Sequence, residues 1–297
     1  MTELRKMMLD ELQRRNYSAQ TARSYLRTVG EFCRYFNKSP DKLGPAQIRE
    51  YQAYLLREKK HAPSTVVQEV CALRFLFVKT MRRHYLLDHL PFPKAPSKLP
   101  TVLSPEEVSR VIEAATNAYH RILLVTLYAT GVRVSELCHL KVRDVDSQRM
   151  MLRVERGKGG RDRLLPLSPT LLEELRGYWR WMKPKTYLFP GMVHGLRADV
   201  PLTTKIPWMA CQQAAQRAGL SKHVSPHTMR HSYATALYDS GTDLRVIQVL
   251  LGHSSLEHTM VYVHLSHRHL ESVPNPLDGL TLSSSKQVRR PRSRPQR

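Results

Sequence analysis

The stretch SPHTMRHSYATALYDSG, residues 225–241, reads as one capped helix with a charged opening turn. Ser225 suits the N-cap, Pro226 the first helical position and Gly241 the left-handed residue beyond the last turn. At about 100° per residue, Met229, Tyr233, Ala236 and Leu237 share one face, and His227, Arg230 and His231 share the other. The start of a helix offers free N–H groups and the positive end of its dipole. An arginine fork and imidazoles added there make a phosphate-binding arrangement. The pattern also suits a plain solvated face. A zinc pair at i and i+4 lacks the glutamate that follows the first His in a metalloprotease helix, and it lacks a third ligand.

Downstream, TDLRVIQVLLGHSSLEHTMVYVH (242–264) reads as two helices joined at Gly252 and His253. Ser254 and Glu257 have the spacing of a capping box for the second. Leu256, Met260 and Val263 then form its buried face, with Tyr262 about 120° from the centre of that face. A tyrosine displayed beside a histidine can act as a nucleophile towards phosphorus. It can equally be an ordinary half-buried tyrosine. Upstream, RILLVTLYATG (121–131) predicts a buried helix ending at Gly131. ATGVRVSEL (129–137) puts Arg133 in the next turn, with Ser135 as a helix cap and Glu136 spaced to hold the Arg133 guanidinium by paired hydrogen bonds. A surface salt bridge fits the same residues. Residues 148–167 alternate around RGKGGR and predict a β-hairpin with a glycine-rich tip. Lys158 at that tip can meet a phosphate or donate a proton, or can sit in an ordinary turn. The rest, from about 169 to 265, reads as helical.

The 297 residues carry 47 Lys and Arg against 25 Asp and Glu, a net charge of +22. Such an excess calls for a polyanionic partner, nucleic acid or an anionic membrane surface. No apolar run is long enough to span a bilayer, and the mean hydropathy is −0.42. The opening MTELRKMMLDELQRRN has acidic residues and no apolar core, unlike a signal peptide. Cys33, Cys71, Cys138 and Cys211 are scattered without a CxxC, which argues against a disulfide scaffold or zinc finger and fits a reducing cytoplasm.

Residues 1–90 predict a bundle of four helices. The first covers 2–15, the second follows Ser18, the third starts at Pro45, and the fourth starts after Ser64 with Val66, Val70, Leu73 and Phe77 on one face. PFPKAPSKLP (91–100) opens a linker over 91–103. A second domain, 104–280, begins at SPEEV, with Ser104 and Glu107 as a capping box. A basic tail, 281–297, is expected to be disordered, and either adds phosphate contacts without sequence preference or is a dispensable solvated end.

Taken in order, ATGVRVSEL, GKGGRDRLLPL, HTMRHSYAT and LLGHSSLEHTMVYVH resemble the tyrosine recombinase (phage integrase) family, most closely its Xer-type and transposon-borne integrases. The resemblance covers about 104–265, and the N-terminal helices resemble the family's core-binding domain. It implies a mainly α fold with a small β-hairpin or sheet: a four-helix core-binding domain before a mixed α/β catalytic domain. It implies a site-specific recombinase that cuts and rejoins DNA through a 3′-phosphotyrosine, without metal, cofactor or ATP. The implied catalytic set is Arg133, Lys158, His227, Arg230, His253 and the nucleophile Tyr262, with Glu136 supporting Arg133. The arginines would hold the phosphate, Lys158 protonate the leaving 5′-oxygen, His227 assist proton removal from Tyr262, and His253 bond a phosphate oxygen. The implied partners are duplex DNA with an inverted-repeat site and further copies of the chain, forming a tetramer on two duplexes in the bacterial cytoplasm, on the nucleoid. The sequence departs from the family after the nucleophile, where Pro274 and Pro276 interrupt the usual docking helix. A type IB topoisomerase, a non-cutting DNA-binding protein and a phosphohydrolase with a phospho-enzyme intermediate are the alternatives.

Overall fold

The computed structural model describes residues 3–94, 99–155 and 162–265. The chain divides into two compact units, residues 1–98 and 99–297. The expected tail, Pro274 and Pro276 lie outside the described residues.

The first unit is helical. It comprises α1 (Glu3–Arg14), α2 (Ala19–Phe36), α3 (Pro45–Arg57) and α4 (Pro63–Arg74). The Ser18 hydroxyl accepts from the Thr21 amide and starts α2, and Asn37 ends it in the left-handed conformation. Helix α4 starts at Pro63 rather than after Ser64, because extended Ala62 takes the cap and Pro63 fills a position that needs no N–H. A π-helical segment, Phe75–Thr80, continues α4 and keeps Phe77 buried with Val66, Val70 and Leu73. Phe32 packs edge-on against Tyr51 and Phe77, at 5.0 and 6.0 Å between ring centroids.

The second unit opens with α5 (Pro105–Glu113), capped by Ser104 and Glu107 as expected. It continues with α6 (Ala118–Thr130) and α7 (Val134–His139). Strands β1 (Val145–Asp146), β2 (Met151–Val154) and β3 (Arg163–Pro166) form an antiparallel sheet in that order. Leu152 pairs with Leu165 and Val154 with Arg163. After α8 (Pro169–Met182), a hairpin of β4 (Pro190–Val193) and β5 (Leu196–Pro201) interrupts the stretch expected to be wholly helical. Its tip is a two-residue turn with His194 and Gly195 both at positive φ, which matches the twist of paired strands. The strands alternate weakly and the tip lacks Asn-Gly, so periodicity missed them.

Helices α9 (Lys205–Arg217), α10 (Pro226–Asp239), α11 (Leu244–Leu251) and the single turn α12 (Glu257–Met260) complete the described fold. Apolar α6 is central and packs against α8, α9 and α10. It ends at Gly131, whose φ is +59°, and a Cβ there would stand 2.2 Å from Cδ1 of Tyr233 on α10. Close approach of α10 therefore requires glycine at this turn. Gly131→Ala is expected to lower the unfolding free energy by about 3 kcal/mol, from left-handed strain plus overpacking. Gly219→Ala, with φ +67° and open space around its Cβ, should cost only about 1 kcal/mol. Chemical denaturation compares the two, and equal losses would contradict the contact.

Candidate active site

Glu136 sits in the first turn of α7 and is buried. Its carboxylate reaches back to the Arg133 amide at 2.8 Å and accepts from Arg133 Nη1, also at 2.8 Å. Arg133 itself occupies the N-cap. Ser135, expected as the cap, already lies inside the helix because α7 starts at Val134. The paired fork expected from Arg133 is made by Arg163 instead, with Nη1 to Oε1 at 2.9 Å and Nη2 to Oε2 at 2.7 Å. Arg163 points inward because it lies two residues before buried Leu165 and opposite buried Val154.

Three arginines meet the end of α11. Arg163 Nε donates to Leu250 O at 2.7 Å, Arg230 Nη2 to Leu251 O at 2.7 Å, and Arg133 Nη2 to Gly252 O at 2.8 Å. The last carbonyls of a helix lack partners within it and carry the negative end of its dipole, so cations are stabilised there. Arg230 Nη1 also donates to Gly131 O at 2.6 Å, which joins α6, α10 and α11 at one guanidinium. Arg230 is 4% exposed, so this part of the α10 face that also suited solvent is inside the protein, while His227 on the same face stays exposed.

The charges are tuned by this packing. Burial acts to raise the Glu136 pKa, but the hydrogen bonds and charge of Arg163, then those of Arg133, outweigh it and bring the carboxyl down to about 2. Burial, then repulsion from Arg133, lowers Arg230 to about 10, still a cation at neutral pH. Burial, then Arg230 and Arg133, lower His253 to about 3. Burial, then His227 and Arg230, lower His231 to about 4. His227, on the first turn of α10, keeps solvent exposure, and partial burial followed by Arg230 and Arg133 depresses its pKa.

Tyr262 is fully buried, whereas Met260 is 47% exposed and Leu256 and Val263 are only partly covered. This reverses the expected faces. The reason is the backbone: α12 is one turn, and residues 259–265 continue with i→i+3 bonds, Tyr262 N to Thr259 O, Val263 N to Met260 O and Leu265 N to Tyr262 O. At three residues per turn, Thr259, Tyr262 and Leu265 share a face. The expected Ser254–Glu257 capping box is also replaced: Leu256 takes the N-cap, and the Ser255 hydroxyl accepts from the Glu257 amide. Burial raises the Tyr262 pKa, with Arg230 and Arg133 opposing it. Its Oη lies 3.1 Å from His231 Nδ1. The His253 ring stacks near its own at 12°, with His253 Nδ1 3.0 Å from Thr259 Oγ1.

Of the residues singled out in the sequence, Arg133, Glu136, His227, Arg230, His253 and Tyr262 lie in this one region, while Lys158 lies outside the described residues. Sequence reasoning assigned no role to Arg163, whose signal was a charge at an inward strand position. It grouped His231 with the α10 phosphate face but left it out of the catalytic set. Among the described residues, no group of three His, Cys, Asp or Glu side chains is placed to hold a metal ion, and no helix is long and apolar enough to cross a membrane.

The phage integrase family model matches residues 101–269, and that of the phage integrase N-terminal SAM-like domain matches residues 4–86. A putative integrase/recombinase, y4qK, of Sinorhizobium fredii is 46% identical over 279 residues, covering 94% of this chain and 89% of its own. The crystal structure of XerA recombinase is 30% identical with a TM-score of 0.51, covering 91% of this chain and 95% of that one. That of the XerH site-specific recombinase bound to palindromic difH, a post-cleavage complex, shares the fold at a TM-score of 0.68 and 23% identity, covering 86% and 80%. The chain belongs to the phage integrase family, tyrosine recombinases that cut DNA and rejoin it.

The imidazoles of His231 and His253, lowered furthest, start from a usual value of 6.5. On acidification below it, the unfolded chain takes up protons that the folded chain refuses, so stability falls as pH drops from about 6.5 towards about 3. Glu136 adds to the fall below 4.5, its usual value. In pH-dependent denaturation, His253→Gln is expected to flatten the decline between pH 6.5 and 4. An unchanged slope would contradict the assignment.

Proposed function

We propose that Tyr262 is the nucleophile of this recombinase, attacking a DNA phosphate to form a 3′-phosphotyrosine and release a 5′-hydroxyl. The observation that carries the reading is the position of its Oη: on a histidine, and close enough to Arg133 and Arg230 for both to oppose the rise in its pKa. In the transition state, negative charge gathers on the non-bridging oxygens. Arg133 and Arg230 are held in place before it develops, which is what makes such stabilisation effective. His227 and His253 donate hydrogen bonds to the phosphate. His253 suits this role because Nδ1 can accept from Thr259 and leave Nε2–H to donate. Lys158 protonates the departing 5′-oxygen. The released hydroxyl then attacks the corresponding phosphotyrosine on a partner duplex, so the bond energy is kept and ATP is not required. Cations from the chain itself supply the charge stabilisation, so the reaction needs no metal.

In this reading residues 1–90 form the core-binding domain, 104–280 the catalytic domain and 281–297 a basic DNA-contacting tail. The substrate is duplex DNA with inverted repeats, and the working assembly is a tetramer on two duplexes in the bacterial cytoplasm, on the nucleoid. Because Tyr262 is fully buried, the groups that cover it have to part before phosphorus reaches its oxygen.

The test uses a nicked duplex carrying the inverted repeat that flanks the gene. The wild type should form an adduct that survives SDS and persists in EDTA, and Tyr262→Phe should bind without forming one. Arg133→Ala and Arg230→Ala should cut at least about 100-fold more slowly with affinity nearly kept. Lysine should restore little, since a point charge cannot replace the fork. An adduct with Tyr262→Phe, or cleavage that depends on added magnesium, would overturn the reading.

A further inference from the structure

We propose that His231 takes the phenolic proton of Tyr262 during cleavage and returns it during rejoining, the part that resemblance implied for His227. The inference rests on Tyr262 being the nucleophile. His231 Nδ1 lies 3.1 Å from Tyr262 Oη, within reach for direct proton transfer. The other imidazoles of the site are placed differently. His227 is solvent-exposed on the first turn of α10. His253 lies nearly parallel to the tyrosine ring, 6.4 Å between centroids, and its Nδ1 is engaged with Thr259.

The setting of His231 favours the role. His227 and Arg230 face it from its own helix, Tyr262 from the segment after α12, and His253 from the loop after α11. Burial, then His227 and Arg230, keep it neutral at physiological pH, so in the Nε2–H tautomer its Nδ1 lone pair is open to the phenol. An arriving phosphate places negative charge beside Arg230 and Arg133. That charge offsets Arg230, the cation that depresses the imidazole, so the base strengthens as the substrate docks.

The step balances. The Tyr262 Oη–P bond forms as the P–O5′ bond breaks. The electron pair leaves on O5′, which takes a proton from the Lys158 ammonium, while the phenolic proton moves to His231 Nδ1. In rejoining, the 5′-hydroxyl gives its proton to the Lys158 amine and attacks phosphorus. The imidazolium then returns its proton to the departing phenolate.

The experiment measures single-turnover adduct formation by the full chain between pH 6 and 9.5. It compares His231→Asn, His231→Ala and His227→Ala on duplexes with either an ordinary phosphate or a 5′-bridging phosphorothiolate, whose thiolate leaves without a proton. Asparagine occupies the Nδ1 position but cannot accept a proton, which separates chemistry from packing. Both His231 variants should bind DNA normally and cleave about 100-fold more slowly at pH 7. Their rates should climb with pH as phenolate forms unaided, and the phosphorothiolate should not restore them. Lys158→Ala should show the opposite, restored by the phosphorothiolate. Wild-type cleavage by His231→Asn, a slow rate that does not climb with pH, or the climb appearing in His227→Ala instead would overturn the inference. Failure of the nucleophile assignment would show separately, as an adduct with Tyr262→Phe.

Discussion

The Glu136 carboxylate accepts the fork of Arg163, the guanidinium of Arg133 and the amide of Arg133, with its side chain and that of Arg163 only 6% and 7% exposed. Ions buried this far are costly unless every partner is present, and removing one member of such a pair typically destabilises by about 3–5 kcal/mol. The carboxylate therefore ties the α6–α7 turn to β3. The same two arginines, with Arg230, take three successive carbonyls at the end of α11. His253 follows the last of these directly, and the Tyr262 segment follows His253. The positions of Arg133, Arg230, His253 and Tyr262 thus depend on one satisfied polar network.

That network also fixes the electrostatics. Arg133 and Arg230 repel each other, and the repulsion is visible in the lowered pKa of Arg230. Glu136 offsets part of it, so two cations stay close and charged, as the proposed stabilisation of a pentacovalent phosphate requires. The His231 and His253 imidazoles beside them are kept neutral by burial first and, among the cations, by Arg230, joined at His253 by Arg133, so they can accept or donate one hydrogen bond without adding fixed charge.

Local signals were legible where the physics is local. The Ser18, Ser104 and Ser225 caps, Pro45 and Pro226 in first turns, and Gly131 and Gly252 at helix ends all occur as read. Arg133, Glu136, Arg230, His253 and Tyr262 were singled out from motif order and lie in one region, but their packing could not be read that way. The wheel for Tyr262 assumed an α-helical period, and the backbone there winds at three residues per turn. Arg163 was invisible because its partner lies 27 residues away on another element. The link between His231 and Tyr262 likewise spans 31 residues and exists only once α10 and the last segment pack together.

Tyr262, Arg133 and Arg230 lie together within one chain, and the proposed mechanism has Tyr262 act with its own arginines. Mixing Tyr262→Phe protomers with Arg230→Ala protomers on a nicked cognate duplex tests this most directly, after each variant alone is shown to bind DNA and to form no adduct. If the tyrosine serves its own arginines, the mixture stays inactive, because every protomer lacks part of its site. Adduct formation restored on mixing would mean that Tyr262 is delivered to a neighbour's arginines, and would contradict the account.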